Sequence, residues 1–261
     1  MRKYLRIYLS FFRTGFIADI EYRANFLFRV ITDTVWYSAQ IIGFEVIFSH
    51  TKSVAGWDIE KTRVFLGLLF MVDAIYMIAL SDNLDKLSDR VRKGDLDLLL
   101  LKPINSQFMI SFQRVSTSLI SNFIIGIIYF GMALYHLPDL NPFRLLWLLL
   151  LIPCGLGSLY SFRFMIAATS VIFTKADNMQ FVWHQVYRLG MRPDQIYSRW
   201  LRLIILSVIP VAMVASVPAR FVVGPPDWGL AVWSLVWTGC CLWASTKYWK
   251  MALRYYSSAS S

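Results

Sequence analysis

Long apolar runs alternate with short charged segments along nearly the whole chain. Six of them have about the length needed to cross some 30 Å of hydrocarbon as a helix: Phe26–Phe48, Val64–Leu80, Phe108–Tyr135, Phe143–Phe173, Leu201–Val217 and Trp228–Trp249. The pattern predicts an all-α polytopic membrane protein with six transmembrane helices in a single domain, residues 1–261. Pro153 with Gly155 and Gly157 should bend or break the fourth run, and Pro210 should kink the fifth. The stretch Ser216–Trp228 is too short to span and too apolar for a free loop, which predicts a re-entrant or interfacial element on the outer side.

Two segments outside the long runs keep a helical period. At 3.6 residues per turn Arg2, Arg6 and Arg13 share one flank, while Leu5, Leu9, Phe12 and Phe16 share the other. Residues 1–20 therefore read as a basic amphipathic helix lying in the membrane interface. Between the second and third runs, Leu84, Leu87 and Val91 form one stripe, with Asp85, Asp89, Arg92 and Lys93 around the rest. Gly94 stops that helix, Asp95 can cap the next turn, and Pro103 ends the leucine run. Residues 82–104 thus form a short amphipathic helix and a leucine-rich turn, suited either to the interface or to docking a cytosolic partner.

Composition fixes the solvent. The chain is 57% hydrophobic with 16% charged residues and a mean hydropathy of +0.53, against about 25% charged in soluble domains. The net charge of +10 is scattered between apolar runs, which points to anionic membrane lipids and to topology, with no nucleic acid as partner. Lys and Arg concentrate before the first run, between the second and third, between the fourth and fifth, and in the tail, so both termini are expected in the cytoplasm. Cys154, Cys240 and Cys241 lie in apolar runs and show no disulfide or metal pattern.

Ionisable residues inside the runs are costly and should face the bundle, a cavity or a partner charge. Arg29, Glu45 and Arg114 lie near run ends and can snorkel. Counting inward puts Asp33, Asp73 and Arg163 at a common depth, which predicts a charge-paired intramembrane cluster.

Three stretches carry a resemblance: EYRANFLF at Glu21–Phe28, RKGDLDLLLLKPIN at Arg92–Asn105, and RPDQIYSRWLRLIILSVIPVAMVASVPA at Arg192–Ala219. Together, in span order, the chain resembles the permease subunits of ABC-2 type exporters, the six-span kind without a fused ATPase. The resemblance implies a type V exporter-like fold, an N-terminal interface helix, a coupling helix at 82–104 and an outer re-entrant element at 216–228. It further implies a bacterial inner-membrane location and a dimeric pathway for a hydrophobic or amphipathic substrate. The partners would be two separate ABC ATPase subunits and a second permease copy or paralogue. In that reading Leu87, Arg90, Val91, Arg92, Asp95, Leu96, Leu98 and Leu99 couple to the ATPase.

The chemistry of a motor is missing from the chain itself. ATP hydrolysis needs a glycine-rich loop ending in Gly-Lys-Ser/Thr, and the sequence has no Gly-Lys pair. No catalytic residue and no bound cofactor are expected here; ATP and magnesium belong on the partner ATPase. The spacing of Asp82, Asp85 and Asp89 resembles the aspartate-rich motif of membrane prenyltransferases, whose carboxylates hold magnesium against a diphosphate. That chemistry wants a second aspartate cluster, and Asp177, Asp194 and Asp227 stand alone. His50, His136 and His184 are scattered and none is spaced as a metal ligand. A third class, a structural membrane subunit without transport of its own, has no motif against it.

Overall fold

The computed structural model describes residues 2–21, 23–138, 140–173 and 178–256. The described residues form helices and connecting turns; one isolated pairing, Val54 with Trp57, closes a loop. Helix α1 covers Arg2–Glu21 and α2 covers Arg23–His50. Asp58 then caps α3, Ile59–Tyr76, by accepting from the Lys61 amide at 2.8 Å.

Helix α3 does not end where its apolar run ends. A π-helical turn, Met77–Ser81, leads straight into α4 (Asp82–Asp85) and α5 (Leu87–Lys93). The helical run Ile59–Lys93 is 35 residues long, about 52 Å at 1.5 Å per residue. Gly94, at φ 77°, stops it in the left-handed conformation glycine adopts freely, and α6 (Asp95–Leu100) folds back.

Helix α7 (Ser106–Phe112) is capped by Asn105 and followed by a break; after a 3₁₀ turn, α8 runs Ile120–Tyr135. Helix α9 is Leu148–Ile172, α10 Asn178–Tyr187, α11 Arg199–Leu203, α12 Ser216–Val223 and α13 Trp228–Arg254. Among the described residues four helical runs are long and apolar enough to cross a membrane: Ile59–Lys93, Thr117–Tyr135, Pro142–Ile172 and Trp228–Arg254.

Small residues set the two main helix pairings, as expected where lipid competes equally for apolar surface. On α3 and α8, Gly67 and Gly126 face the partner backbone: a Cβ on Gly67 would stand 2.6 Å from Phe130 Cα, and one on Gly126 2.8 Å from the Met71 nitrogen. Helices α9 and α13 are joined by Ser158 and Thr238 hydroxyls at 2.8 Å, with Thr238 also donating to the Cys154 carbonyl.

Three expectations are corrected. The run Phe108–Tyr135 is not one helix, because Gln113–Ser116 leaves the helical path. Of the bend or break expected in the fourth run, the break is absent, and the helix is continuous through Pro153. Gly155 admits the Met213 carbonyl, which a Cβ would meet at 2.4 Å.

The third correction changes the topology. The run Leu201–Val217 was expected to span, yet Arg202 at its start and Arg220 beyond its end reach the same carboxylate, Asp194. It is a hairpin: α11 and a π-helical turn, Ile204–Val208, run inward, residues 209–215 turn, and α12 runs back. Val211–Ala219 are all buried, and the turn's amides are used locally, Ala212 N on Ile205 O at 3.1 Å and Val217 N on Ala212 O at 3.2 Å. Non-helical backbone at such depth requires that protection. The segment before it, expected as a loop, runs the length of the bundle. Gln180 donates to the Asp85 carbonyl near one end, Tyr187 reaches Asp73 midway, and Gln195 accepts from Trp57 Nε1 at the other. The inner end of the fourth run, left open by the polar stretch Thr174–Ser198 that follows it, is Ile172 with its cap at Phe173; Thr174–Asp177 lie outside the described residues.

Candidate functional site

The candidate coupling segment divides into a buried and an exposed face. Leu87 and Leu96 are 0% exposed, and with Leu84, Val91 and Leu99 they pack on Phe164, Ala167 and Val171 of α9 and Trp249 and Ala252 of α13. These side chains hold the segment to its own bundle and cannot be what a partner touches first. Leu98 and Leu101 point outward, at 64% and 81% exposed, beside exposed Arg92, Lys93, Asp95 and Lys102. Arg92 pairs with Asp89 at 2.6 Å, and the half-buried Arg90 donates to Gln113 Oε1 at 3.2 Å. Leu87, Val91, Leu96 and Leu99 therefore support a surface that Leu98 and its charged neighbours display.

Just inside this tip a polar junction ties helices α1, α2, α4, α9 and α10 together. Arg163, 1% exposed on α9, pairs with Asp85, which also accepts from Ser81 Oγ at 3.1 Å. The guanidinium stacks over Trp183 of α10, 5.6 Å from the ring centroid. Asp82 accepts from Ser116 Oγ at 2.7 Å and lies 3.9 Å from Arg29. The buried Asn83 takes both backbone groups of Arg114, its Nδ2 on the carbonyl at 2.6 Å and its Oδ1 accepting the amide at 2.9 Å. Asp19 of α1 accepts from Thr117 Oγ1 and the Ser118 amide at 2.7 and 2.8 Å. At the break Asn83 thus satisfies the Arg114 backbone, the Ile78 carbonyl accepts from the Ser116 amide at 3.0 Å, and Asp19 takes the Ser118 amide just beyond, which answers the demand buried backbone makes. Sequence reading missed Asn83, Ser116, Trp183 and Gln180; the one signal was a polar Asn83 set against Leu84 and Leu87 on an otherwise apolar face.

The expected cluster of Asp33, Asp73 and Arg163 is not formed. Arg163 sits opposite Asp85, three turns and more beyond Asp73, about 18 Å along the helix. The depth estimate failed because the helix continues past its apolar run to Lys93. Asp73 instead accepts from the hydroxyls of Tyr187 at 2.6 Å and Tyr37 at 3.5 Å, and Asp33 from Asn122 Nδ2 at 2.7 Å. Both carboxylates line a cleft of about 410 Å³ between α2, α3, α8 and α10.

Asp82, Asp85 and Asp89 do not converge either. Each turns to a different partner, Ser116 with Arg29, Arg163, and Arg92. Among the described residues no group of three His, Cys, Asp or Glu side chains could hold a metal ion, so the prenyltransferase geometry is not assembled.

At the opposite end Asp194, 0% exposed, is a hub that sequence reading passed over as a lone acid. Ser216 Oγ donates to it at 2.5 Å, Arg202 Nε at 2.6 Å and Arg220 Nη1 at 3.4 Å, and Arg220 also lies 3.8 Å from Asp227. The sequence signal for it was an acid between Arg192 and Arg202 just ahead of an apolar run.

No curated protein and no solved structure matches the chain in comparison. The family model described as ABC-2 family transporter protein matches residues 34–260. That interval takes in the four long helical runs, the hairpin and most of the polar junction, and the chain belongs to the ABC-2 family of transporter membrane proteins.

Proposed function

We propose that the chain is the permease subunit of an ATP-driven exporter, half of a dimeric pathway for a hydrophobic or amphipathic substrate, worked by two separate ATPase subunits. The observation that carries this, beside the family, is the helical run Ile59–Lys93, one rod from the far end of the bundle to the exposed tip at Leu98 and Leu101. A push on that tip acts on the rod and, through Asp85 and Arg163, on α9.

Six crossings result if α2 and the run from Asn178 to Ile196 join the four long helices, with Arg199–Val223 as the re-entrant hairpin. The expected outer element at 216–228 is then the returning arm of a longer one. The end bearing Lys93 remains the richer in Lys and Arg even after Arg192, Arg199 and Arg202 move to the other end, which favours cytoplasmic termini. Helix α1 packs through Tyr4 and Tyr8 on Phe108 and Phe112 and leaves Leu5, Leu9 and Phe16 exposed, as an interfacial helix would. A second permease copy or paralogue is expected beside it in the membrane.

The test is co-purification of the chain with an ABC ATPase subunit co-expressed with it. Loss of that subunit from correctly inserted Leu98→Asp and Leu101→Asp variants supports coupling. An undiminished subunit ratio in both leaves a structural membrane subunit as the better reading.

A further inference from the structure

We propose that the cleft lined by Asp33 and Asp73 receives the cationic head of an amphiphilic substrate; this rests on reading the chain as an exporter permease and names the class of its cargo. Both carboxylates lie within helices of the bundle, where a charge persists only with a partner or a function. No Lys, Arg or His of the described residues comes within ion-pair distance of either, and their hydrogen-bond donors, two tyrosines and one asparagine, are all neutral. The acids lean toward the cavity, each partly exposed there.

The walls suit the same ligand. Trp36, Tyr37 and Tyr187 line the cleft around the carboxylates, and aromatic faces attract organic cations. The volume, about 410 Å³, lies within the range of small-molecule pockets. The cations on the lining are otherwise engaged or exposed. Arg29 turns to Asp82 at 3.9 Å, while Arg188 and His184 are exposed, the latter bonded through Nδ1 to the Gln180 carbonyl at 2.7 Å. Outside the cleft, Ile31, Val35, Phe181 and Val182 are exposed on α2 and α10, so a tail leaving between these helices stays on apolar surface.

The experiment measures equilibrium binding of radiolabelled tetraphenylphosphonium to the full chain, purified with its ATPase in a non-ionic maltoside. Saturable binding is expected, displaced by dodecyltrimethylammonium and not by dodecyl phosphate. Asp33→Asn and Asp73→Asn should each weaken it at least tenfold, and the exposed Asp89→Asn should leave it unchanged. Should Asp73→Asn fold poorly, Asp33→Asn decides. Binding that does not saturate, that survives Asp33→Asn, or that the phosphate displaces equally well overturns the proposal. A complex that keeps its ATPase yet binds no cation sinks this inference alone, whereas failure of the parent chain to hold an ATPase sinks the exporter reading.

Discussion

Arg202 and Arg220 share one oxygen, Oδ2 of Asp194, at 2.6 and 3.4 Å, and so pin together the two arms of the hairpin between them. The carboxylate is fully buried while both arginines are partly exposed. Asp194→Ala leaves Arg202 and the Ser216 hydroxyl without this acceptor, and Arg220 with Asp227 at 3.8 Å. Losing one partner of a buried pair costs about 3–5 kcal/mol, and the partial exposure of the arginines argues for the lower end. Thermal unfolding in detergent should show a loss of about 3 kcal/mol for Asp194→Ala and less for Asp194→Asn; a neutral Asp194→Ala would mean the hub does not hold the hairpin.

The hairpin makes a topological prediction that differs from the hydropathy pattern. In a background lacking Cys154, Cys240 and Cys241, cysteine at Ser198 should be labelled from the same side as cysteine at Lys52, and from the opposite side to Lys93. Labelling of Ser198 together with Lys93 would restore Leu201–Val217 as a crossing. Asp139, at the tip of another connection on the expected outer side, lies outside the described residues.

How much of this was legible from sequence depends on what each segment buries. The runs that became α9 and α13 are apolar around most of their circumference, so length alone identifies them. The run Leu201–Val217 is just as apolar because Val211–Ala219 are buried in protein, and hydropathy does not distinguish protein from lipid. Conversely, Asn178, Gln180 and His184 give α10 the composition of a loop, although Trp183 and Tyr187 bury one side of it. The leucine stripe of 84–91 has the period its sequence predicts but a different neighbour: periodicity finds an apolar face, and α9 and α13 of the same chain cover it.

The corrected ion pair is testable by a double-mutant cycle. Arg163→Gln leaves Asp85 facing a buried wall, and Asp85→Asn leaves Arg163 uncompensated; each should cost about 3 kcal/mol or more. Together they should cost clearly less than the sum, with a coupling of about 0.5–3 kcal/mol. Asp73→Asn combined with Arg163→Gln should be additive to within about 0.5 kcal/mol. Coupling of Arg163 to Asp73 in place of Asp85 would overturn the assignment.

The α3–α8 contact should tolerate no added methyl group. At Gly126 the new Cβ meets backbone at 2.8 Å, so Gly126→Ala should destabilise by about 1–3 kcal/mol. A Cβ on Gly131, in the same helix, would have nothing within 4 Å, and Gly131→Ala should be neutral or stabilise by up to about 1 kcal/mol. Equal effects at the two glycines, read from melting temperatures, would show that helix propensity and not close approach governs both.

The last prediction separates support from contact within the tip. Leu87 and Leu96 are buried against α9 and α13, so aspartate at either forces a charge into an apolar core and forfeits about 1.5–3 kcal/mol of side-chain burial besides. Those variants should insert or fold poorly whatever the partner does. Leu98 and Leu101 are exposed, and aspartate there costs the isolated chain little, since surface changes usually fall within about 0.5 kcal/mol. If they dock an ATPase, removing apolar contact at the centre of a small interface should release that subunit and abolish substrate-stimulated hydrolysis. Charge changes at Lys93 and Asp95, on the same exposed turn, should chiefly alter the salt dependence of association. Normal melting with a lost ATPase is therefore the expected signature at Leu98 and Leu101, and lowered melting is expected at Leu87 and Leu96. Lowered melting at Leu98 with the ATPase retained would place that leucine against lipid, and the tip would no longer qualify as the point where the motor pushes.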